Sequence, residues 1–253
     1  MNLSNNSPNS FNDNNRVWFG LMIGNSRLHW AEFEGSKLLK TWDTEHSAFE
    51  ENRDIFLNSV PIRLASVVPE QTKIWQQYPN VEVITLEQLP LKNLYSTLGI
   101  DRALAVLGAG TKLGFPVLVI DAGTALTFTG CDRDRCLVGG AILPGLGLQF
   151  SALAEKTAAL PRANFPQHLP QRWAIETPGA IHSGIIYTLL AGIRDFIEVW
   201  CQDFPESQIV LTGGDANILI TYLDAKFPSI CAKIMLVPEV VFWGLSAIKT
   251  VTA

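Results

Sequence analysis

Two stretches of this chain share one shape: GLMIGNSRLHW at 20–30 and VLVIDAGTALTF at 117–128. Each runs as an apolar strand into a Gly and small polar residues, then leaves as an alternating strand, which is the pattern of a β-hairpin. Side by side, Met22 falls opposite Asp121 and Asn25 opposite Thr124. The match is short, but a repeat constrains a fold more than any single segment does. Such a turn leaves backbone N–H groups open and suits a phosphate. A phosphate-and-metal turn would more naturally carry a carboxylate where Met22 stands. The first copy therefore reads either as a structural hairpin or as half of an active site that lacks its acid.

Between and after the copies, strands precede helices, which argues for an α/β chain. A third strand and a helix are expected in 34–60. Strands follow at 63–68 and 81–86, with a weak helix between them. A helix begins at Asp101. The second half adds a strand closing at Pro144-Gly145, an amphipathic helix over 146–160 and a long helix over 180–204. A strand, Gly-Gly turn and helix follow over 209–219, then a last strand and helix over 235–250. The 253 residues suffice for two small domains sharing a cleft. The division is placed near 115: a polar tail over 1–16, a first domain over 17–115 and a second over 116–253, the last helix being free to return to the first.

Composition narrows the function. Charged residues are 17% of the chain, against about 25% in an ordinary globular protein, so burial is extensive and a subunit interface is expected. Net charge is −5 with no basic run, which disfavours a nucleic-acid partner. Cys131, Cys136, Cys201 and Cys231 form no C-x-x-C pair and read as reduced cytosolic thiols rather than a zinc site. The opening MNLSNNSPNSFNDNNR has no apolar core, unlike a signal peptide. The apolar run GIIYTLLAGI is too short to span a bilayer and stops at Arg194 and Asp195, so no membrane partner is expected.

Several short motifs carry possible chemistry, and each has an ordinary structural use. Asp121-Ala122-Gly123-Thr124 could hold a cation and present donors to phosphate, yet an Asp there commonly caps its own turn. Thr212-Gly213-Gly214 could admit a ligand to a helix N-terminus or be a plain strand-to-helix turn. Asp101 in Gly99-Ile100-Asp101-Arg102 reads as an N-cap or as a general base beside a cation. Gly139-Gly140 suits close packing. His29, His46, His168 and His182 share no spacing and read as structural or surface residues.

The order of these pieces is more specific than any one of them. Gly-Asn-Ser, GIDR, DAGTALTF, GGAILPGLGLQFSALAEKTAALP, ETPGAIHSG and LTGG together closely resemble the type III pantothenate kinases over about residues 17–248. That family belongs to the acetate and sugar kinase/Hsp70/actin superfold. The resemblance implies two ribonuclease H-like domains around a nucleotide cleft, and ATP-dependent phosphorylation of pantothenate, the first step toward coenzyme A. It implies Asp101 as the base. It implies a pantothenate contact at Gly99, Ile100, Asp101 and Arg102, with Thr177 and Tyr95 nearby. Asp121 matches a ligand of a monovalent cation, potassium or ammonium, with Mg²⁺ carried by the nucleotide. For ATP it implies Met22, Ile23, Gly24, Asn25, Ser26, Arg27, Leu28 and His29, then Thr124, Gly213 and Gly214.

The usual family pattern at the first turn is D-x-G-N-T; this chain has Met22 for the Asp and Ser26 for the Thr. An acid restored at 22 is expected to be tolerated, because the turn faces the cleft. Two other readings compete. A non-catalytic nucleotide or pantothenate binder is favoured by Met22 and opposed by Asp101. A sugar kinase of the same superfold is opposed by the GIDR spacing and by the lack of a Cys/His zinc segment. A homodimer is expected through the long helix, where Ile185, Ile186, Leu189, Leu190, Ile193, Phe196 and Ile197 recur at helical spacing.

Overall fold

A computed structural model describes residues 17–46, 60–78, 80–156 and 165–248. The N-terminal tail, the helix expected before residue 60 and the TAALP end of the 146–160 helix lie outside the described residues.

The first lobe opens with a meander, β1 (Val17–Ile23), β2 (Leu28–Glu34) and β3 (Lys37–Thr44). It continues through β4 (Ile62–Ser66), α1 (Pro69–Trp75) and β5 (Val81–Val83). After α2 (Ile100–Leu113), the second lobe begins with β6 (Val117–Ala122), β7 (Ala125–Cys131) and β8 (Leu137–Pro144). Then come α3 (Leu146–Lys156), α4 (Thr177–Asp203), β9 (Gln208–Thr212), α5 (Ala216–Lys226), α6 (Pro228–Cys231), β10 (Ile234–Leu236) and α7 (Val240–Ala247). The sheets run β3-β2-β1-β4-β5 and β8-β7-β6-β9-β10, one order used twice. In each, the meander is antiparallel and the last two strands join in parallel. The short repeat of the hairpins is thus the visible part of a repeat of whole lobes. Met22 pairs with His29 as Asp121 pairs with Thr127, so the two positions correspond in three dimensions.

Both faces of each sheet are covered, which is why the central strands are apolar throughout rather than alternating. On the outer face of the first sheet, Leu21, Ile23, Leu28, Trp30 and Leu64 pack with Trp75 of α1. On its inner face, Trp18 stacks on Phe33 at 4.1 Å and joins Met22 in a core shared with α2, α7 and the second sheet. Helix α2 lies between the lobes and is buried from Ile100 to Gly110 except at Asp101, so its apolar surface goes all the way round. It crosses α7 at two glycines: a methyl at Gly108 would overlap the Val240 carbonyl, and one at Gly244 the Leu104 carbonyl. The C-terminal helix therefore packs against the first lobe's core, and Arg63 of β4 fixes it by donating to the Leu245 and Ile248 carbonyls at 3.1 and 2.9 Å.

Helix α4 starts three residues earlier than its apolar pattern, with Pro178 in its first turn and Glu176 accepting from the Gly179 N–H at 2.6 Å. By length and composition it could cross a bilayer. Its apolar stripe faces inward instead: Ile185, Ile186, Leu189, Leu190, Ile193 and Ile197 are buried on the second sheet. This corrects the expectation that the stripe meets a second copy. Of the seven residues, Phe196 alone is exposed, at 40%, and it stacks on Phe128 of its own chain.

Candidate active site

The two hairpin turns, one from each lobe, meet. In the first, the Gly24 N–H closes the turn on the Arg27 carbonyl at 3.0 Å, leaving Asn25, Ser26 and Arg27 exposed. In the second, the Gly123 N–H closes on the Ala125 carbonyl and Thr124 is exposed. The Ser26 and Thr124 hydroxyls stand 3.0 Å apart, joined by a hydrogen bond that links residues 98 apart in sequence. Of the eight residues Met22–His29, Met22, Ile23 and Leu28 are buried and offer no side chain to a ligand. Met22 is 5% exposed and packed in the apolar inter-lobe core. An acid at 22 would lose solvation there, so Met22→Asp is destabilising rather than tolerated.

Two further segments close around the second turn. Gly213 has φ +96°, and a side chain there would press on the Ala122 carbonyl and the Asp121 carboxyl, so glycine is required on both counts. Gly145 donates to the Thr124 carbonyl at 2.9 Å and touches Gly123 closely enough to exclude a methyl. Asp215, which the sequence did not single out, ties the group together. Its N–H donates to the Ala122 carbonyl at 2.9 Å, and its carboxyl accepts from the Gly147 N–H at the start of α3. Burial raises the Asp215 pKa, and that hydrogen bond opposes the rise.

Asp101 enters from α2. The N-cap of this helix is Gly99, not Asp101. Asp101 lies in the first turn and accepts from the Arg102 N–H at 2.8 Å. Burial raises its pKa above the ordinary carboxylate value, opposed by that bond and by the Arg102 charge. Asp121 is pushed up to about 7, first by burial and then by the negative charge of Asp101. Two carboxyls from different lobes thus feel one another, beside two glycine turns and two hydroxyls.

Arg102 is itself buried, not a solvent-facing cation. It donates to Thr129 Oγ1 at 2.9 Å, to the Phe128 carbonyl at 3.1 Å and to Tyr95 Oη at 3.0 Å. A methyl at Gly140 would overlap Arg102 and the Phe128 carbonyl, so the Gly139-Gly140 pair serves packing beneath the site. Tyr95 is 45% exposed over this group, whereas Ile100 is buried and presents backbone only. Thr177 lines a cavity of about 390 Å³ between α3 and α4 with Leu153, Ala180, Ile181, Gly184 and Ile185. Among the described residues, no hydrogen bond joins it to Tyr95 or Gly99–Arg102.

Phosphoryl transfer needs in-line alignment and neutralised phosphate charge. Opposed glycine turns, two hydroxyls and a buried carboxyl with a raised pKa are groups of the kind such chemistry uses. Residues 21–199 match the family model described as type III pantothenate kinase. A type III pantothenate kinase from Nostoc sp. is 48% identical over 258 residues, covering 91% of this chain and 94% of that protein. Among solved structures, a Campylobacter jejuni chain assigned to the Baf family of transcriptional activators superposes with a TM-score of 0.66 at 21% identity, covering 91% and 96% of the two chains. The activator of 2-hydroxyisocaproyl-CoA dehydratase from Clostridium difficile, with bound ADPNP, gives 0.51 at 10% identity, covering 92% of each. At such identities these structures speak for the fold alone.

Proposed function

Since the chain belongs to the type III pantothenate kinase family and phosphorylates pantothenate with ATP in coenzyme A biosynthesis, we propose that Asp101 is its base and that the facing hairpin turns hold the phosphates. The supporting observation is the Ser26–Thr124 pair, which puts hydroxyls of both turns at one point. Asp101 takes the proton of the pantothenate hydroxyl as its oxygen bonds the γ-phosphorus and ADP leaves. A raised pKa brings a carboxylate closer to the working pH of a general base. Gly24, Asn25, Ser26, Arg27, His29, Thr124, Gly213 and Gly214 contact the nucleotide, while Tyr95 and Gly99–Arg102 contact pantothenate. The lobes divide near residue 115, a reading supported by the repeated strand order on either side.

Asp121 fits a large, weakly hydrated monovalent cation. Burial, and then the Asp101 charge, push its pKa up to about 7, and it abuts the backbone of Gly213, so an ion there would stabilise the charged form. Potassium or ammonium would supply fixed positive charge beside the phosphates. No group of three His, Cys, Asp or Glu gathers as a metal cage among the described residues, which suits Mg²⁺ held chiefly by nucleotide oxygens and water. Pantothenate phosphorylation measured in potassium and in sodium tests the assignment. Potassium is expected to carry most of the rate in the native chain and to make no difference in Asp121→Asn. A full rate in sodium would remove the cation from the reading.

A homodimer in the cytoplasm completes the proposal. Trp173 and Ile175, just before Thr177, are almost wholly exposed. Val138 and Ile142 of β8 are exposed as well. In a two-fold dimer, one copy's Thr177 end could wall the other's pantothenate pocket. Sedimentation is expected to show a dimer at micromolar concentration; an active monomer would rule it out.

A further inference from the structure

The turn that leaves the inner parallel strand for a helix occurs once in each lobe. β4 and β9 hold the same place in the two sheets, with Ala65 beside Met22 and Thr212 beside Asp121. Three residues on in each lobe stands the N-cap of the next helix, Val68 for α1 and Asp215 for α5. In each, an N–H of the turn closes on the end of the central strand. Val67 donates to the Ile23 carbonyl at 3.0 Å, and Asp215 to the Ala122 carbonyl at 2.9 Å. The first lobe makes its turn with valine at the cap, so this backbone path does not require an acid.

Asp is a preferred N-cap because its side chain can accept from its own helix. Asp215 makes no such bond. Its backbone, at φ −93° and ψ 3°, lies outside the extended region that capping residues use. The half-buried side chain instead accepts from the Gly147 N–H, in the first turn of α3. The start of α3 is in turn tied to the second hairpin. The Gly145 N–H donates to the Thr124 carbonyl at 2.9 Å, and Gly145 lies too close to the Gly123 and Thr124 carbonyls to admit a side chain. Gln149 closes the same corner, its N–H on the Gly145 carbonyl at 3.0 Å and its Nε2 on the Pro144 carbonyl at 2.8 Å. One chain of contacts thus runs from Asp215 through Gly147 and Gly145 to Thr124, whose hydroxyl meets Ser26 of the other lobe. Behind Asp215 the backbone leads through Gly214 to Gly213, where a side chain would overlap Ala122.

We propose that Asp215 is a positioning residue for phosphoryl transfer: by bridging the starts of α3 and α5, it holds Thr124 and the Gly213-Gly214 turn at a fixed spacing. It acts without touching either substrate. The proposal rests on the reading that Thr124 and this turn hold the nucleotide phosphates. Groups that align a reacting phosphate are sensitive to displacements of about 1 Å, and a tether between two helix starts limits such displacements.

The test compares Asp215→Asn, Asp215→Ser and Asp215→Val in the full chain, by pantothenate phosphorylation, thermal unfolding and the amide resonance of Gly147. Asn keeps an acceptor oxygen at the same reach. Ser caps a helix as well as Asp does, but its shorter side chain gives up the bridge. Val is the residue of the first lobe. Ser and Val are expected to lower kcat about tenfold, the upper range for one hydrogen bond, with the KM for pantothenate unchanged and the Ser variant melting with the native chain. Asn should recover most of the rate. The Gly147 amide proton should move upfield in Ser and Val and stay near its native position in Asn. Because Asp215 acts through Thr124, Asp215→Ser should cost little further rate in a Thr124→Ala background, whereas a general loss of stability would multiply with it. A native kcat in Asp215→Ser, losses that multiply in the Thr124→Ala background, or a Gly147 resonance unmoved by Ser would each overturn the proposal. So would unfolding of all three variants, which would make Asp215 a folding residue. If Thr124→Ala alone leaves AMPPNP binding and turnover at the native level, the phosphate reading of the second turn fails first and the proposal with it. If Thr124→Ala is impaired while Asp215→Ser is not, that reading stands and the bridge falls.

Discussion

Asp101→Asn is expected to lower pantothenate phosphorylation by about 10²–10⁴-fold, the usual contribution of a positioned general base. The fold should survive. Asn can still offer an oxygen to the Arg102 N–H, so that hydrogen bond is retained. Loss of the charge should also be felt across the cleft. Asp121 is raised first by burial and second by Asp101, so its carboxyl should titrate lower in the variant. AMPPNP affinity should change little, because the proposed site puts Asp101 at the acceptor rather than the nucleotide. A variant turning over at the native rate would reduce Asp101 to a first-turn residue that favours the helix dipole. A variant that has lost both activity and thermal stability would leave the base unproven, and for that case Asp101→Glu is the second arm. Moving the carboxylate by one methylene should keep the fold and lose most of the rate.

Arg63→Met is expected to destabilise the chain by roughly 3–5 kcal/mol, the range for breaking a buried ion pair by removing one partner. Arg63 is 1% exposed on β4. Its Nε donates to Glu82 at 3.1 Å, its Nη1 donates to two carbonyls at the end of α7, and its guanidinium lies 5.4 Å from the Trp18 ring. Burial lowers its pKa and the Glu82 charge opposes that. Met replaces the packing volume but leaves the Leu245 and Ile248 carbonyls and Glu82 without this donor. Glu82 keeps some contact with water, so the lower end of the range is the better expectation. Helix α7 packs on α2, which carries Asp101 in its first turn, so activity should fall at temperatures well below the main unfolding transition. Urea unfolding followed by far-ultraviolet circular dichroism measures the first effect. A loss under about 1 kcal/mol would mean that water or the chain end replaces the guanidinium at those carbonyls.

The hairpins around Gly24 and Gly123 were legible because alternation, apolar strands and a glycine turn are local properties. The GIDR, DAGT and TGG segments were legible as an ordered series, and the first turn of α2 and the turn before α5 stand where that series put them. The long helix was legible as a helix with a wide apolar stripe, but not what the stripe covers. Periodicity records that a face is apolar; only packing decides whether a sheet of the same chain or another copy buries it. Met22 failed for a similar reason. Its place before a cleft turn suggested access to solvent, yet at the end of a central strand its side chain projects into the core between the lobes.

By itself, then, the sequence determined the family, the α/β class, the two hairpins and the order of the chemical segments, since each is written in neighbouring residues or in their succession. The tertiary structure decided which side chains meet. Ser26 reaches Thr124 because the lobes close on one another. Asp215 reaches Gly147 because two helices start side by side. His29 reaches Asp43 through the register of β2 with β3, which shifts at Glu32/Phe33. A one-residue slip in that register would turn Asp43 to the opposite face. Contacts of this kind depend on pairing between distant strands, and no local run of residues records that pairing.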